Sequence, residues 1–272
     1  MSLRRLPRGA LVATALVTGG LVLSGCSGFP GHATAPARTV EDNSGHGGPP
    51  GAAARPGASA TPAADPQLRR AAELQVKEIP ALGPHTLKRI PESARQAVVV
   101  TGEAADSSHS TVVLYVRDPA RGWEPVSDPW ASRNALRGWT EDHHLGDLHS
   151  PAGVFGLTDA GGRKADPGTR LPYDHRSEFV AAGNGFEGES LAGAFDYVVA
   201  INYNHTPGRT PLDWSRPMGA NRGGGVWIHV DHGGPTHGCV SLPEDRMKEL
   251  LRWLDPSKEP VVVMGDASML GK

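Results

Sequence analysis

The stretch Trp227-Ile-His-Val-Asp-His-Gly-Gly-Pro-Thr-His-Gly-Cys-Val-Ser241 places an apolar run, a glycine-containing loop and a cysteine in close succession. Its apolar beginning is typical of a buried strand, which would hold the ring of His229 in place. At its end, Ser241-Leu-Pro-Glu244 has the form of a capping box and predicts a helix with Ser241 as N-cap. We therefore predict a strand, a tight loop that ends at Cys239, and a capped helix.

The sequence around this stretch predicts a mainly β domain. Met247, Leu250, Leu251 and Leu254 follow at helical spacing and would form the buried stripe of the predicted helix. Elsewhere, short aliphatic runs separated by polar and glycine-containing loops are typical of strands. The predicted strands are Ala97–Val100, Thr111–Val116, Gly153–Leu157, Phe195–Ile201, Gly225–Val230 and Val261–Met264. The fold class expected is a layered β structure with one or two packed helices.

Cys239 and His229 form a candidate nucleophile and base. If Cys239 lies just before a helix N-terminus, the helix dipole and an adjacent imidazole would lower the pKa of its thiol. His229 could accept the thiol proton. Gly238 allows close approach of a substrate, and the amides of Gly238 and Cys239 could bind an oxyanion. The pattern therefore favours nucleophilic catalysis by a thiol.

Two alternatives remain open from the residues alone. Cys239 could be an inert, buried cysteine, because free cysteine is among the most buried residue types. A zinc ion could also be bound by a mixture of nitrogen, oxygen and sulfur ligands. The candidate ligands are His229, Asp231, His232, His237 and Cys239. However, the sequence has neither a second Cys-x-x-Cys pair nor a His-Glu-x-x-His helix, so we predict no metal and no cofactor.

Residues 1–25 have the features of an export signal. A basic beginning, Met1-Ser-Leu-Arg-Arg-Leu-Pro-Arg8, precedes an apolar stretch that is short for a membrane span. The stretch ends in Leu23-Ser-Gly-Cys26, which resembles a bacterial lipobox and implies that Cys26 carries a lipid. The alternative is an ordinary secretory signal in which Cys26 is incidental. We expect an exported protein held by its lipid on the outer face of the cell membrane, facing the cell wall.

The remaining N-terminal segments predict a linker and a short helical region. Residues 26–64 are rich in Ala, Gly, Pro, Ser and Thr and cannot bury enough apolar surface to fold, so we predict a flexible tether. Residues 65–95 form the predicted helical lead-in, with Asp65-Pro66 at the helix start and Ile79 at its end. The catalytic domain would occupy residues 96–272. A formal net charge of −2 gives no basic footprint, so nucleic acid is not an expected partner.

Thr236-His-Gly-Cys-Val240 resembles the [Ser/Thr]-His-Gly-Cys signature of the L,D-transpeptidases, the YkuD/ErfK domain family. Ser150-Pro-Ala-Gly-Val-Phe155 is similar to a further motif of that family, and Phe195-Asp-Tyr-Val-Val-Ala-Ile-Asn-Tyr-Asn204 looks like one of its central strands. The resemblance covers roughly Gln96 to Asp266. It implies a YkuD-like β-sandwich fold.

The resemblance also implies an activity. Members of the family cut tetrapeptide stems of peptidoglycan after the third, diamino residue and transfer the resulting thioester to another stem, giving a 3→3 cross-link. Carried over, Cys239 is the nucleophile, His229 its base, Val230 the carbonyl that orients the base, and His237 a residue that shapes the site. The alternatives are an L,D-carboxypeptidase using the same site and a non-catalytic wall-binding lipoprotein. The expected partners are peptidoglycan stem peptides and, through the lipid anchor, a membrane.

Several residues are weaker candidates for binding substrate. The loop between His229 and Cys239 is shorter than in the commonest members, and Ser241 stands where they have Asn or Arg. Ser241 and Arg222 are the predicted substrate contacts, and Arg216 could bind a stem-peptide carboxylate in the same way as Arg222. The alternative for either arginine is an ordinary surface residue of a loop. A polar loop with three histidines, His143, His144 and His149, is expected to be exposed to solvent. The sequence predicts no oligomeric state.

Overall fold

The computed structural model describes residues 77–272. The predicted export signal, linker, lipidated Cys26 and helix start at Asp65-Pro66 lie outside the described residues. Within the described part, Lys77 forms a bridge with Gly122, and Ile79 is buried in the core. The helix predicted to end at Ile79 is therefore absent from residues 77–79. The lead-in instead has a short helix further on, α1 (Pro84–Arg89).

The described residues form thirteen strands and three α-helices. The strands are β1 (Gln96–Gly102), β2 (His109–Asp118), β3 (Gly122–Pro125), β4 (Trp130–Arg133), β5 (Trp139–Thr140), β6 (Ser150–Pro151), β7 (Gly153–Gly156), β8 (Ala160–Gly162), β9 (Tyr173–His175), β10 (Val198–Ala200), β11 (Trp227–Val230), β12 (Val240–Leu242) and β13 (Val261–Asp266). The helices after α1 are α2 (Glu244–Trp253) and α3 (Ala267–Leu270), with short 3-10 helices at Ala220–Arg222 and Pro256–Lys258. The prediction of a mainly β fold with few helices is confirmed.

Eleven of the described strands form one curled, mixed sheet in the order β7-β13-β1-β2-β4-β12-β11-β10-β8-β9, with β3 paired to β2. Strands β5 and β6 form a separate pair. The pairs β1–β13, β11–β12 and β8–β9 are parallel, whereas β10–β11 and β12–β4 are antiparallel. Strand β11 therefore lies in the middle of the sheet, flanked on both sides.

The central strands are buried on both faces. Along β1, Val98 and Val100 pack into the main core, whereas Ala97 and Val99 pack into a second core on the other face. This follows from the alternation of side chains along a strand. Because neither face of β1 is exposed, its sequence reads as a continuous apolar run rather than an alternating one. The layered core agrees with the predicted sandwich.

Helix α2 covers the main core with the stripe that the sequence predicted. Met247, Leu250, Leu251 and Leu254 are all fully buried. Burial of a leucine side chain stabilises a fold by roughly 1.5–3 kcal/mol, so this stripe holds the helix against the sheet. No helix among residues 77–272 is long and apolar enough to span a membrane.

The start of α2 differs from the prediction. The helix begins at Glu244, and its N-cap position is Pro243, which makes no side-chain capping hydrogen bond. Ser241 lies in β12 instead, where Val240 and Leu242 both face the core. The alternating burial of this short run favours a strand over a helix start. The capping box predicted at Ser241 is therefore wrong.

Candidate active site

Cys239 and His229 are brought together by the parallel pair β11 and β12. In this pair His229 lies opposite Ser241, so Cys239, just before β12, lies beside Trp227 at the start of β11. The Trp227 amide donates a hydrogen bond to Cys239 Sγ at 3.4 Å. Trp227 and His229 are two residues apart on one strand and therefore point to the same face of the sheet. The sulfur and the imidazole thus occupy the same side of adjacent strands.

The sulfur of Cys239 lies in a largely apolar environment. Its side chain packs against a small buried cluster made of Phe179, Val198, Ala200 and Trp227. The thiol contacts the carbonyl of Gly225 at 3.7 Å. Burial raises the pKa of the Cys239 thiol to about 11, against a smaller opposing effect of the Trp227 amide. The predicted lowering by a helix N-terminus is wrong, because a strand rather than a helix follows the cysteine.

His229 is held as a neutral imidazole. Its Nδ1 donates to the carbonyl oxygen of Val230 at 2.8 Å, the contact expected for an orienting carbonyl, so the lone pair is on Nε2. The side chain is buried against the ring of Phe195, at 5.4 Å, and stacks on His232, at 5.7 Å. Burial lowers the pKa of His229 to about 4. At neutral pH the site therefore contains an uncharged thiol and an uncharged imidazole.

The peptide that carries Cys239 is fixed through its carbonyl oxygen. Thr236 Oγ1 donates to this oxygen at 2.7 Å and Ser150 Oγ donates to it at 3.2 Å. Neither Gly238 N nor Cys239 N donates a hydrogen bond to any other of residues 77–272. The two amides therefore remain available to bind an oxyanion, as predicted for this pair. The role of Ser150 was missed, because the sequence gives no sign of its contact with a carbonyl so far along the chain.

Ser241 and Asp231 are hydrogen-bonded to each other beside His229. Ser241 is completely buried and its hydroxyl donates to Asp231 Oδ1 at 2.8 Å. The same carboxylate oxygen lies 3.8 Å from Arg133 Nε. A hydroxyl in this position has no access to a bound peptide, so the geometry disfavours the predicted substrate contact of Ser241. The hydrogen bond between Ser241 and Asp231 instead links β12 to the residue that follows β11.

A hairpin at residues 183–191 covers the loop between the two strands. His237 is exposed, and its ring packs on that of Phe186 at 4.5 Å. On the buried side, His232 Nδ1 lies 3.1 Å from Glu189 Oε1, which forms an ion pair when the imidazole is protonated. The hairpin therefore contacts the catalytic loop at both ends. His237 lies at the surface of the site, in keeping with a shaping role.

The two arginines considered for substrate binding have different partners. Arg222 donates to Asp142 Oδ1 and contacts His144 Nε2 at 3.3 Å. Hydrogen bonding to Asp142 raises the pKa of Arg222. Arg216 instead donates to the backbone carbonyls of Asp213 and Ser215 and forms no ion pair with a carboxylate among residues 77–272. Of the two, Arg222 is already neutralised by a neighbour.

His143 is buried, contrary to the prediction of an exposed histidine loop. It is only 5% exposed, and its ring meets that of Tyr203 edge to face at 5.2 Å. Its Nδ1 lies 3.0 Å from Asp147 Oδ1, while burial lowers its pKa. A Cβ placed on Gly238 would be 3.6 Å from its Cε1, so His143 backs the peptide that carries the cysteine. The prediction holds only for His144, which is about half exposed.

No group of three or more His, Cys, Asp or Glu side chains within residues 77–272 is arranged to hold a metal ion. The arrangement at Cys239 is a different one: a thiol and a neutral imidazole on adjacent strands, beside two unused amides. It defines a site suited to acyl transfer through a cysteine. The described site thus has the parts of a cysteine acyltransferase.

Comparison with known families agrees with this class. The model of the YkuD family, the L,D-transpeptidase catalytic domain, matches residues 94–263, and the chain therefore belongs to the YkuD family. The family consists of cysteine-dependent L,D-transpeptidases that act on the peptide stems of peptidoglycan. Comparison with curated proteins and with solved structures gave no match.

Proposed function

We propose that the protein is a peptidoglycan L,D-transpeptidase that forms 3→3 cross-links from tetrapeptide stems through a thioester on Cys239. The observation that carries the proposal is the placement of Cys239, just before β12, beside the neighbouring strand that holds His229, with the Cys239 carbonyl fixed by two hydroxyl groups. These two hydrogen bonds fix the peptide that joins Cys239 to Val240 and so hold the sulfur beside β11. The amides of Gly238 and Cys239 belong to the two preceding peptides and donate no hydrogen bond within residues 77–272. Oxyanion stabilisation of this kind is a large contribution to acyl-transfer catalysis.

In the acylation step, the thiol proton of Cys239 moves to Nε2 of His229 while the sulfur attacks the carbonyl carbon of the third stem residue. The negative charge on the carbonyl oxygen is bound by the amides of Gly238 and Cys239. The tetrahedral intermediate collapses when the bond to the fourth residue breaks, and His229 returns the proton to the departing amine. The products are a thioester and a free amino acid.

In the second step, an amine from another stem attacks the thioester and gives its proton to His229. Collapse of the second tetrahedral intermediate releases sulfur, which regains the proton, and leaves an amide that joins two third residues. Water in place of the amine would give the L,D-carboxypeptidase reaction. The two outcomes differ only in the nucleophile that reaches the thioester.

The neutral state of both groups determines how the proton moves. With the pKa of Cys239 at about 11 and that of His229 at about 4, a resting thiolate–imidazolium pair is unfavourable. Cys239 Sγ accordingly contacts backbone groups of Gly225 and Trp227 rather than the imidazole. The proton transfer therefore accompanies attack on the substrate. Catalytic hydrogen bonds often tighten only when substrate is bound.

The test is incubation of the purified protein with a disaccharide-tetrapeptide, followed by mass spectrometry. A cross-linked dimer with loss of one fourth residue supports the transpeptidase. Formation of tripeptide without dimer would instead identify the activity as that of an L,D-carboxypeptidase. No product from wild-type protein, together with binding to intact peptidoglycan, would favour the non-catalytic wall-binding lipoprotein.

The lipid anchor on Cys26 is part of the same proposal, supported by the lipobox-like sequence Leu23-Ser-Gly-Cys26. It would hold the domain at the outer face of the membrane, with residues 27–64 as a tether towards the wall. Cys26→Ser should leave the membrane fraction or remain unprocessed, whereas the matched variant Cys239→Ser should stay membrane-bound. Normal cleavage with full membrane retention of Cys26→Ser would contradict the anchor.

A further inference from the structure

A pocket of about 290 Å³ adjoins the sulfur of Cys239. Its apolar wall includes Phe195, Leu212 and Trp227, and Trp227 belongs to the buried cluster against which Cys239 packs. Gly225, whose carbonyl contacts the thiol, also lines it. When Cys239 attacks the carbonyl of a residue, the side chain on the neighbouring α-carbon therefore has this pocket close to it.

The pocket contains three charged side chains without ion-pair partners. Arg216, Asp213 and Glu178 line it, and none of them lies within 4.0 Å of an opposite charge on residues 77–272. One positive and two negative groups thus face the same space. A ligand with both a carboxylate and an ammonium group would complement this arrangement, because hydrogen bonds between opposite charges are stronger than those between neutral groups.

Contacts within its own loop fix the position of Arg216. Its Nη1 donates to the carbonyls of Asp213 at 2.9 Å and Ser215 at 2.8 Å, and its guanidinium lies 5.2 Å from the ring of Trp214. A Cβ on Gly224 would come within 2.2 Å of Arg216 Nε, so the arginine needs glycine there. These contacts fix the guanidinium while its charge stays unpaired.

We propose that Arg216 is a specificity-determining residue that binds a carboxylate at the end of the donor's third-residue side chain, while Asp213 and Glu178 face the ammonium group beside it. The inference rests on the proposed function, because it places the diamino residue at Cys239. The pocket would then favour a diamino residue whose side chain ends in both a carboxylate and an ammonium group over one whose side chain ends in an ammonium group alone. Arg222, paired with Asp142, has no such role.

The experiment uses the full-length protein and two donor tetrapeptides that differ only in whether the side-chain carboxylate is free or amidated. We expect Arg216→Gln to lower kcat/KM for the free-carboxylate donor by about 10- to 100-fold, mainly through KM, as for the loss of a charged hydrogen bond. The amidated donor should change less than twofold. Arg216→Lys should recover part of the loss, because it restores the charge without the planar fork. Arg246→Gln, on the surface of α2, is the matched control and should leave both donors unchanged.

The outcomes separate the inference from the proposed function. Wild-type protein that turns over neither donor overturns both. If wild-type protein turns over both donors and Arg216→Gln lowers kcat/KM equally for the two, only the inference is overturned. If Arg222→Gln, rather than Arg216→Gln, selectively lost activity on the free-carboxylate donor, the carboxylate would be bound by Arg222. That result would also overturn the inference. Thermal unfolding of each variant shows whether a loss reflects folding.

Discussion

Two walls border the sulfur of Cys239 and are held in place by different means. The strand wall, Trp227–Val230 with Val240–Leu242, is fixed by a parallel ladder in the middle of the sheet, and all its residues are buried. The loop wall, residues 204–225, has little regular structure beyond the short 3-10 helix Ala220–Arg222. His229 belongs to the strand wall and Cys239 immediately precedes its second strand, whereas the charged groups Arg216 and Arg222 belong to the loop wall.

The loop wall depends on a few polar contacts and on glycine. Asn204 is buried, its Nδ2 donates to the carbonyls of Gly219 and Gly223, and its Oδ1 accepts from the amide of Met218 at 2.7 Å. Gly223 and Gly225 both have positive φ, a conformation in which other residues are strained. The position of His229 is thus set by buried strands, whereas Arg216 and Arg222 lie on a segment held by Asn204 and by glycines at positive φ.

Replacing the nucleophile should have the largest effect on activity. We expect Cys239→Ala to abolish both dimer and tripeptide products, because the thioester cannot form, while the fold is retained. The measurement is product analysis by mass spectrometry beside circular dichroism and thermal unfolding. Retained turnover in a folded Cys239→Ala protein would exclude Cys239 as the nucleophile.

The base should be the next most sensitive position, and the two histidines on either side of the loop should differ. His229→Gln should lower kcat by roughly 10²–10⁴-fold, the usual contribution of a general base. His237→Gln should be much milder, because His237 is exposed and contacts Phe186 rather than the reacting groups. Steady-state kinetics on the same donor decides the comparison. A larger loss at His237 with folding intact would reverse the assignment.

Removing the anchor of the loop wall should lower stability more than it alters the chemistry. Asn204→Ala leaves two carbonyls and one amide without their partner, and should reduce the free energy of unfolding by about 3 kcal/mol. Any loss of activity should appear in KM, since the strand wall is not touched. Denaturant unfolding and kinetics measure the two effects. An unchanged unfolding free energy would show that the loop wall is held by other contacts.

The sequence predicted the elements whose patterns are local. Runs such as Ala97–Val100 and Val261–Val263 are recognisable because both faces of their strands are buried, and the stripe of α2 repeats at helical spacing. The short strand Ala160–Gly162 was not predicted, because its pairing with β10, rather than its composition, makes it a strand. At Ser241 a local capping pattern competed with the burial of Val240 and Leu242, and burial in the sheet prevailed.

The sequence predicted which residues form the candidate site but not their surroundings. The structure brings His229 and Cys239 together, as predicted, whereas the pKa values of the two groups depend on burial that no local pattern reveals. His143 illustrates this limit: its burial comes from Tyr203 and from the peptide at Gly238, both far along the chain. The unpaired charge of Arg216 is likewise visible only once the position of every neighbouring carboxylate is known.

The smallest predicted effect is a pH dependence of stability that arises in the strand wall. Because the pKa of His229 in the folded protein is about 4, below its ordinary value of about 6.5, protonation favours the unfolded chain. The stabilisation is complete above about pH 6.5 and is lost as pH falls towards 4. Between pH 7 and pH 5 the contribution of His229 should amount to about 2 kcal/mol of unfolding free energy.

Other groups also titrate in this range, including His143, whose pKa is lowered by burial as well. The difference between wild type and His229→Gln at each pH isolates the contribution of His229. Between pH 7 and pH 5, the free energy of unfolding should fall by about 2 kcal/mol less in the variant than in wild type, as measured by denaturant unfolding. Parallel pH curves for the two proteins would mean that the imidazole is solvated in the folded state, and the strand wall would then be more open than its burial indicates.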